Sequence, residues 1–95
     1  MKKDIFDEYV DKVTNHFGVS REQLFTKNKE RRISDARHML YYLCKERQIT
    51  GSYTKHYMGE NGYDIALSSI GHGIKRIEKE IAKDPDYTII INQLK

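Results

Sequence analysis

The chain has 95 residues and a formal net charge of +3, and it contains one cysteine, one proline and no tryptophan. This length predicts a single domain over residues 1–95 with a modest core, and it leaves no room for a separate catalytic module. One cysteine excludes an internal disulfide, and the lack of a long apolar run or a cleavable signal predicts a soluble, cytoplasmic protein that does not contact a membrane.

The N-terminal part of the chain predicts two helices. Apolar residues recur at helical spacing from Ile5 to Phe17, and Gly18 ends this first helix. Ser20 and Gln23 form a capping-box pattern that opens a short second helix. Three apolar side chains are expected to close this end of the core: Phe17, Leu24 and Phe25.

A segment dense in positive charge follows and leads into an apolar-striped helix. Its cationic side chains are Lys27, Lys29, Arg31 and Arg32. Such groups can follow the phosphates of a nucleic acid while the helix behind them holds their register. Charge alone favours this interpretation no more than that of a solvated surface loop.

The central helix is predicted to begin after Ser34, which we assign as its N-cap. Its continuous buried stripe is expected to contain Ala36, Met39, Leu40, Leu43 and Cys44. We interpret Tyr41 and Tyr42, which flank this stripe, as half-buried core aromatics in preference to base-stacking residues. Cys44 is interpreted as a small buried hydrophobe and not as a nucleophile.

The second half of the chain predicts a long helix and a short final one. After the poorly periodic segment SYTKHYMG and the turn ENGYD, apolar periodicity resumes from Ile65. The apolar stripe of this helix leaves a separate polar arc with Ser68, Ser69, His72 and Lys75. Asp84 and Pro85 predict the N-cap and first turn of the last helix. No strand pattern competes seriously, so the predicted fold class is all-α with five or six helices.

Two glycines lie inside the predicted long helix, on either side of His72. Gly71 and Gly73 each destabilise a helix interior by about 1 kcal/mol relative to alanine. Something must therefore offset that cost. Close approach of another helix is the favoured explanation, and close approach to a DNA backbone is the alternative.

The sequence carries no motif of an enzyme or of a metal site. It has no GxxxxGK(S/T) loop, no HExxH pair, no paired cysteines and no serine in a nucleophile-elbow context. The four histidines are His16, His38, His56 and His72. They lack the sequence spacing of zinc ligands, and they lack the neighbouring carboxylates of a zinc site. We therefore expect a binding protein without catalytic residues, metal ligands or cofactors.

Two segments together resemble one known family. LFTKNKERRISDARHMLYYLCKE, followed later by SSIGHGIKRIEKEIAKDPDY, is similar to the C-terminal DNA-binding domain of the bacterial replication initiator DnaA, domain IV, in the Trp-repressor-like superfamily. In that family a short helix leads into a basic loop and a helix with an arginine near its start. A helix-turn-helix with the signature G-G-R-D-H-(S/T)-(S/T)-V follows. The resemblance covers about Val10 to Tyr87 and implies a divergent, stand-alone helix-turn-helix domain.

The chain departs from this family at positions that contact bases. Ile65, Ala66 and Leu67 stand where the family has arginine, aspartate and histidine. Lys29 occupies the position at which the family has an arginine that enters the minor groove. Its ammonium group is a point charge, whereas a guanidinium is planar and presents several donors at once. Binding of the family's own nine-base site is therefore left open.

The resemblance implies that the helix beginning near Ile65 enters the major groove of double-stranded DNA. The implied backbone contacts come from Lys27, Lys29, Arg31, Arg32 and Arg37. Arg37 is the expected phosphate clamp, and His38 lies beside it at a position where the family usually has glutamine. The implied groove contacts come from Ser68, Ser69, His72 and Lys75.

The sequence supports one leading functional hypothesis and two alternatives. The leading hypothesis is DNA binding in replication initiation or its regulation, with a phage or mobile element as a natural source. The first alternative is a protein-interaction module that kept the helical scaffold and binds replication or transcription proteins. The second is a dimeric transcription regulator that uses the first helix or the run Ile89–Ile91 as its interface. The expected oligomeric state is a monomer or a homodimer.

Overall fold

The computed structural model describes residues 2–95, and this part of the chain folds into six helices without a strand. The helices are α1 (Lys2–Phe17), α2 (Arg21–Leu24), α3 (Arg31–Glu46), α4 (Gly51–Glu60), α5 (Leu67–Lys83) and α6 (Tyr87–Leu94). The predicted all-α fold with five or six helices is therefore confirmed. None of the described helices is long and apolar enough to cross a membrane.

Helix α3 forms the centre of the core and packs most extensively against α5 and α1. Every residue of its predicted apolar stripe is fully buried: Ala36, Met39, Leu40, Leu43 and Cys44. Burial of each large apolar side chain stabilises the fold by roughly 1.5–3 kcal/mol. Tyr41 is also buried, whereas Tyr42 is partly buried against the core, so the interpretation of both as core aromatics is confirmed.

The junction between α1 and α2 follows the predicted local rules. Gly18 adopts a φ of 66°, a left-handed conformation that favours glycine at a helix end. Ser20 Oγ accepts a hydrogen bond from the Gln23 amide at 3.0 Å, and Gln23 Oε1 accepts one from the Ser20 amide at 2.9 Å. Leu24 is fully buried, with Phe17 and Phe25 packed around the core. The predicted capping box is confirmed.

The predicted N-cap of α3 at Ser34 is wrong. The helix begins three residues earlier at Arg31, and the Ser34 amide already donates a helical hydrogen bond to the Glu30 carbonyl at 2.9 Å. Arginine is a good helix former, and the fully buried Ile33 anchors this extra turn in the core. Arg31 and Arg32 therefore belong to the first turn of α3 and not to the preceding loop.

Two other predicted helix starts are displaced by two residues. Helix α5 begins at Leu67 instead of near Ile65. Helix α6 begins at Tyr87, because Asp84 closes a turn around Pro85. The Asp84 carboxylate accepts from the Asp86 amide at 3.0 Å, and its carbonyl accepts from the Tyr87 amide at 2.9 Å.

The poorly periodic segment after Thr50 forms α4, the first helix of a helix-turn-helix with α5. Thr50 Oγ1 caps α4 by accepting from the Tyr53 amide at 3.3 Å. A side-chain carbon at Gly73 would lie 2.8 Å from ring carbons of both His38 and Tyr41, so α5 and α3 approach closely there. This confirms the favoured explanation for Gly73, whereas Gly71 faces open space.

Most of the apolar surface that was predicted as a dimer interface is covered within the chain. The apolar residues of α1 lie in the core: Phe6, Tyr9, Val10 and Val13. In α6, Ile91 is buried and Ile90 is partly buried, whereas Ile89 is 56% exposed. Of the side chains proposed for dimer contacts in α6, Ile89 alone is widely exposed.

Candidate nucleic-acid interface

A cleft of about 710 Å³ opens between the segment after α2, the N-terminal half of α3 and the first turns of α5. Most of the predicted site residues line it: Lys27, Lys29, Arg37, His38, Ser68, Ser69 and His72. The fold thus brings the basic segment and the polar arc of α5 to one surface, although some forty residues separate them in the chain. Arg31, Arg32 and Lys75 lie outside the cleft lining.

Arg37 lies beneath the cleft and is only 5% exposed. Its Nε donates to the Leu24 carbonyl at 2.7 Å, and its Nη1 donates to the Asn28 carbonyl at 3.1 Å. Its Nη2 donates to the carbonyls of Gln23 and Thr26. Four of the five guanidinium N–H groups are used in this way. The predicted phosphate clamp is therefore corrected: Arg37 positions the basic segment.

The turn between α4 and α5 is held by the same side chain. The Arg37 guanidinium lies 4.6 Å from the centre of the Tyr63 ring, a cation–π contact. Tyr63 was not predicted as a site residue, although an aromatic residue in the glycine-bearing turn ENGYD was an available signal. Burial raises the pKa of Tyr41 far above its usual value, and the nearby Tyr63 raises it further. The Tyr41 hydroxyl therefore stays neutral. A single cation thus connects the loop to the helix-turn-helix.

The His38 and His72 rings meet edge to face across the close contact of α3 and α5, with centroids 6.4 Å apart. Burial lowers the pKa of His38 below 6.5; Asp35 opposes this shift, whereas Arg76, His72 and Arg37 add to it. His38 is therefore neutral near pH 7 and can both donate and accept a hydrogen bond. His72 is exposed on the outer face of α5.

The cationic side chains around the cleft remain accessible to solvent. Lys27 and Lys29 are exposed at its rim. Arg31 is 82% exposed and pairs with Asp35 at 3.8 Å, and Arg32 pairs with Glu30 at 3.6 Å. Exposed pairs of this kind contribute about 0–1 kcal/mol, so an incoming phosphate can replace the carboxylate.

The first turn of α5 presents polar groups without a side-chain cap. Ala66 occupies the N-cap position and makes no side-chain hydrogen bond, while Ser68 and Ser69 are exposed. The first intrahelical bond runs from the Ser69 amide to the Ala66 carbonyl at 3.0 Å. The amides of Leu67 and Ser68 precede it and have no intrahelical acceptor. Amides and hydroxyls arranged in this way can donate to phosphate oxygens or to base edges.

Neither a metal centre nor a reactive thiol was found near the cleft. Across residues 2–95, no group of three or more metal-ligating side chains is positioned to hold an ion. Burial raises the pKa of the Cys44 thiol to about 12, so it remains protonated at neutral pH. The interpretation of Cys44 as a buried hydrophobe is confirmed.

Comparisons with known proteins match this region of the chain. The family described as the bacterial DnaA protein helix-turn-helix matches residues 7–77, a range that contains the whole cleft lining. The chromosomal replication initiator protein DnaA of Lachnoclostridium phytofermentans is 28% identical over 89 residues, which cover 93% of this chain and 19% of that protein. The chain therefore spans about a fifth of the length of this curated relative. No solved structure matches the chain.

Proposed function

Because the chain belongs to the bacterial DnaA helix-turn-helix family, we propose that it binds double-stranded DNA with the cleft and the first turns of α5. The observation that carries this proposal is the convergence of Lys27 and Lys29 with Ser68, Ser69 and His72 on one cleft. Exposed cations beside an uncapped helix start match the chemistry of phosphates and base edges.

In this arrangement α5 enters the major groove with its N-terminal turns foremost. Ser68, His72 and Lys75 follow one another at intervals of four and three residues, so they share the outer face of α5. The hydroxyls and the imidazole contact base edges or nearby phosphates, and Lys75 contacts a phosphate further along the groove. Arg37 does not touch DNA; it holds Lys27 and Lys29 in register through the carbonyls of Thr26 and Asn28.

The proposed biological role is in replication initiation or its regulation. The relative from Lachnoclostridium phytofermentans is named a chromosomal replication initiator, and 19% of its length aligns with this chain. The alignment covers 93% of this chain, and the helix-turn-helix family matches residues 7–77, so the two overlap. This overlap supports a role in marking or occupying DNA. A phage or mobile-element source stays a prediction.

Binding to short duplexes at several salt concentrations tests this function. The full chain is titrated against fluorescent duplexes of random sequence and against a duplex that carries the DnaA-type nine-base site. With four or five phosphates neutralised, the logarithm of affinity falls with the logarithm of salt concentration with a slope of roughly −4. A flat salt response, or no binding to either duplex, contradicts the proposal and favours a protein partner for the same surface.

Charge reversal locates the surface. Arg31→Glu combined with Arg32→Glu is expected to weaken binding to all sequences alike, because phosphate contacts carry no sequence information. The single variant Arg31→Glu has Lys83→Glu as its matched control, since Lys83 lies about 22 Å along α5 from Ser68 at 1.5 Å per residue. Equal losses of affinity in Arg31→Glu and Lys83→Glu would contradict the assigned surface.

A further inference from the structure

An exposed apolar side chain lies where α5 begins. Leu67 is the first residue of this helix and is 50% exposed. It lies beside the start of α4, because a side-chain carbon at Gly51 would be 3.5 Å from Leu67 Cδ2. The next apolar residue of the helix, Ile70, is 2% exposed, so the core ends just beneath Leu67.

The residues around Leu67 offer no side-chain hydrogen bond to a base. Ala66 is the exposed N-cap and lacks a polar side chain, and the partly buried Ile65 lines the cleft. Polar side chains begin only at Ser68. The tip of the helix that the proposed function places in the major groove is therefore apolar over three successive residues.

We infer that Leu67 contacts the C5 methyl groups of thymines in the major groove and gives the chain a preference for thymine at one or two positions. The inference rests on the proposed function, because it requires α5 to enter that groove. Among the groups that base pairs display there, the thymine methyl is the apolar one, whereas the other distinguishing groups are hydrogen-bond donors and acceptors. Leu67 can exclude water from a methyl but cannot satisfy a polar base edge.

The surrounding charges support duplex DNA as the occupant of this apolar tip. Exposed Lys27 and Lys29 line the same cleft as Ile65, which lies two positions before Leu67 in the chain. Cations on that side can hold the phosphates while α5 lies in the groove. An apolar protein partner would not require these two positive charges.

Deoxyuridine substitution isolates the methyl group. Preferred duplexes are first selected from a random pool with the full chain, and each thymine is then replaced singly by deoxyuridine, which lacks only the methyl. At one or two positions the wild-type chain is expected to bind about fourfold more weakly, the effect of removing one apolar carbon from a buried contact. The same replacement is expected to have no effect on Leu67→Ala at those positions.

Ile89→Ala serves as the matched control, because Ile89 is an equally exposed aliphatic residue on α6, away from the cleft. It should retain the full deoxyuridine effect. Binding that is insensitive to every deoxyuridine, or an effect of equal size in Leu67→Ala, overturns the inference and leaves the proposed function standing. Absence of binding to any duplex overturns both. If Leu67→Ala does not fold, Leu67→Gln, which keeps a long side chain but ends in a polar amide, takes its place in the same measurement.

Discussion

The Arg37 guanidinium lies 4.6 Å from the centre of the Tyr63 ring, and this contact joins the segment after α2 to the turn before α5. The same guanidinium donates to two backbone carbonyls in α2 and to two in that segment. A buried cation is tolerated only when such partners replace its hydration. Both elements of the proposed interface therefore depend on one side chain that is itself buried.

Replacement of Arg37 is expected to loosen the interface and the fold together. Arg37→Lys keeps the charge but cannot reproduce the planar set of donors, and it leaves buried carbonyls without partners. We expect the free energy of unfolding to fall by about 2–4 kcal/mol, since charge-assisted hydrogen bonds contribute roughly 1.5–3 kcal/mol each. Urea unfolding measures this change, and the exposed Arg31→Lys serves as control. Equal stability of both variants would show that the carbonyl contacts contribute little.

The glycine pair of α5 offers a comparison within one helix. Gly73→Ala places a carbon 2.8 Å from the His38 and Tyr41 rings. We expect a net loss of about 1–2 kcal/mol, because overpacking exceeds the gain in helix propensity. Gly71→Ala faces open space and should stabilise the fold by up to about 1 kcal/mol. Thermal unfolding of both variants provides the test, and a shift in the same direction would contradict the close packing of α3 and α5.

The features that could be predicted from the sequence were those that depend on the spacing of nearby residues. The stripe from Ala36 to Cys44 and the capping box at Ser20 require only residues within one or two turns of helix. The start of α3 was missed because Ser34 fits an N-cap by residue type, whereas burial of Ile33 in the tertiary core sets the true start.

The candidate site depended more heavily on contacts that the sequence does not encode locally. The carbonyls that accept hydrogen bonds from Arg37 precede it by 9 to 14 residues in the sequence. The burial of Arg37 could therefore not be predicted from the residues adjacent to it in the sequence. The resemblance to a known family correctly brought the basic segment and α5 together. It did not reveal that Leu67 would remain exposed at the tip.

The lowered pKa of His38 predicts a pH dependence of stability. The unfolded chain binds a proton on this ring near pH 6.5, whereas the folded chain resists it because of burial. As the pH falls below 6.5, the unfolded state binds more protons than the folded state. The free energy of unfolding therefore decreases until the pH reaches the pKa of His38 in the folded chain. His38→Gln should remove this part of the slope when urea unfolding is compared between about pH 5 and 8. An unchanged slope would contradict burial of the ring.

The proposed division between phosphate and base contacts can be tested with two single substitutions. Lys29→Gln removes one cation from the cleft rim, so it should weaken binding to all duplexes and reduce the magnitude of the salt slope by about 0.9. Ser68→Ala removes a hydroxyl from the outer face of α5, so it should alter the ranking of duplexes in a selection and leave the salt slope unchanged. Lys83→Gln is the control for lost charge on the same helix. If Ser68→Ala weakened every sequence equally, the outer face of α5 would lie against phosphates, and its assignment as the base-contacting surface would be wrong.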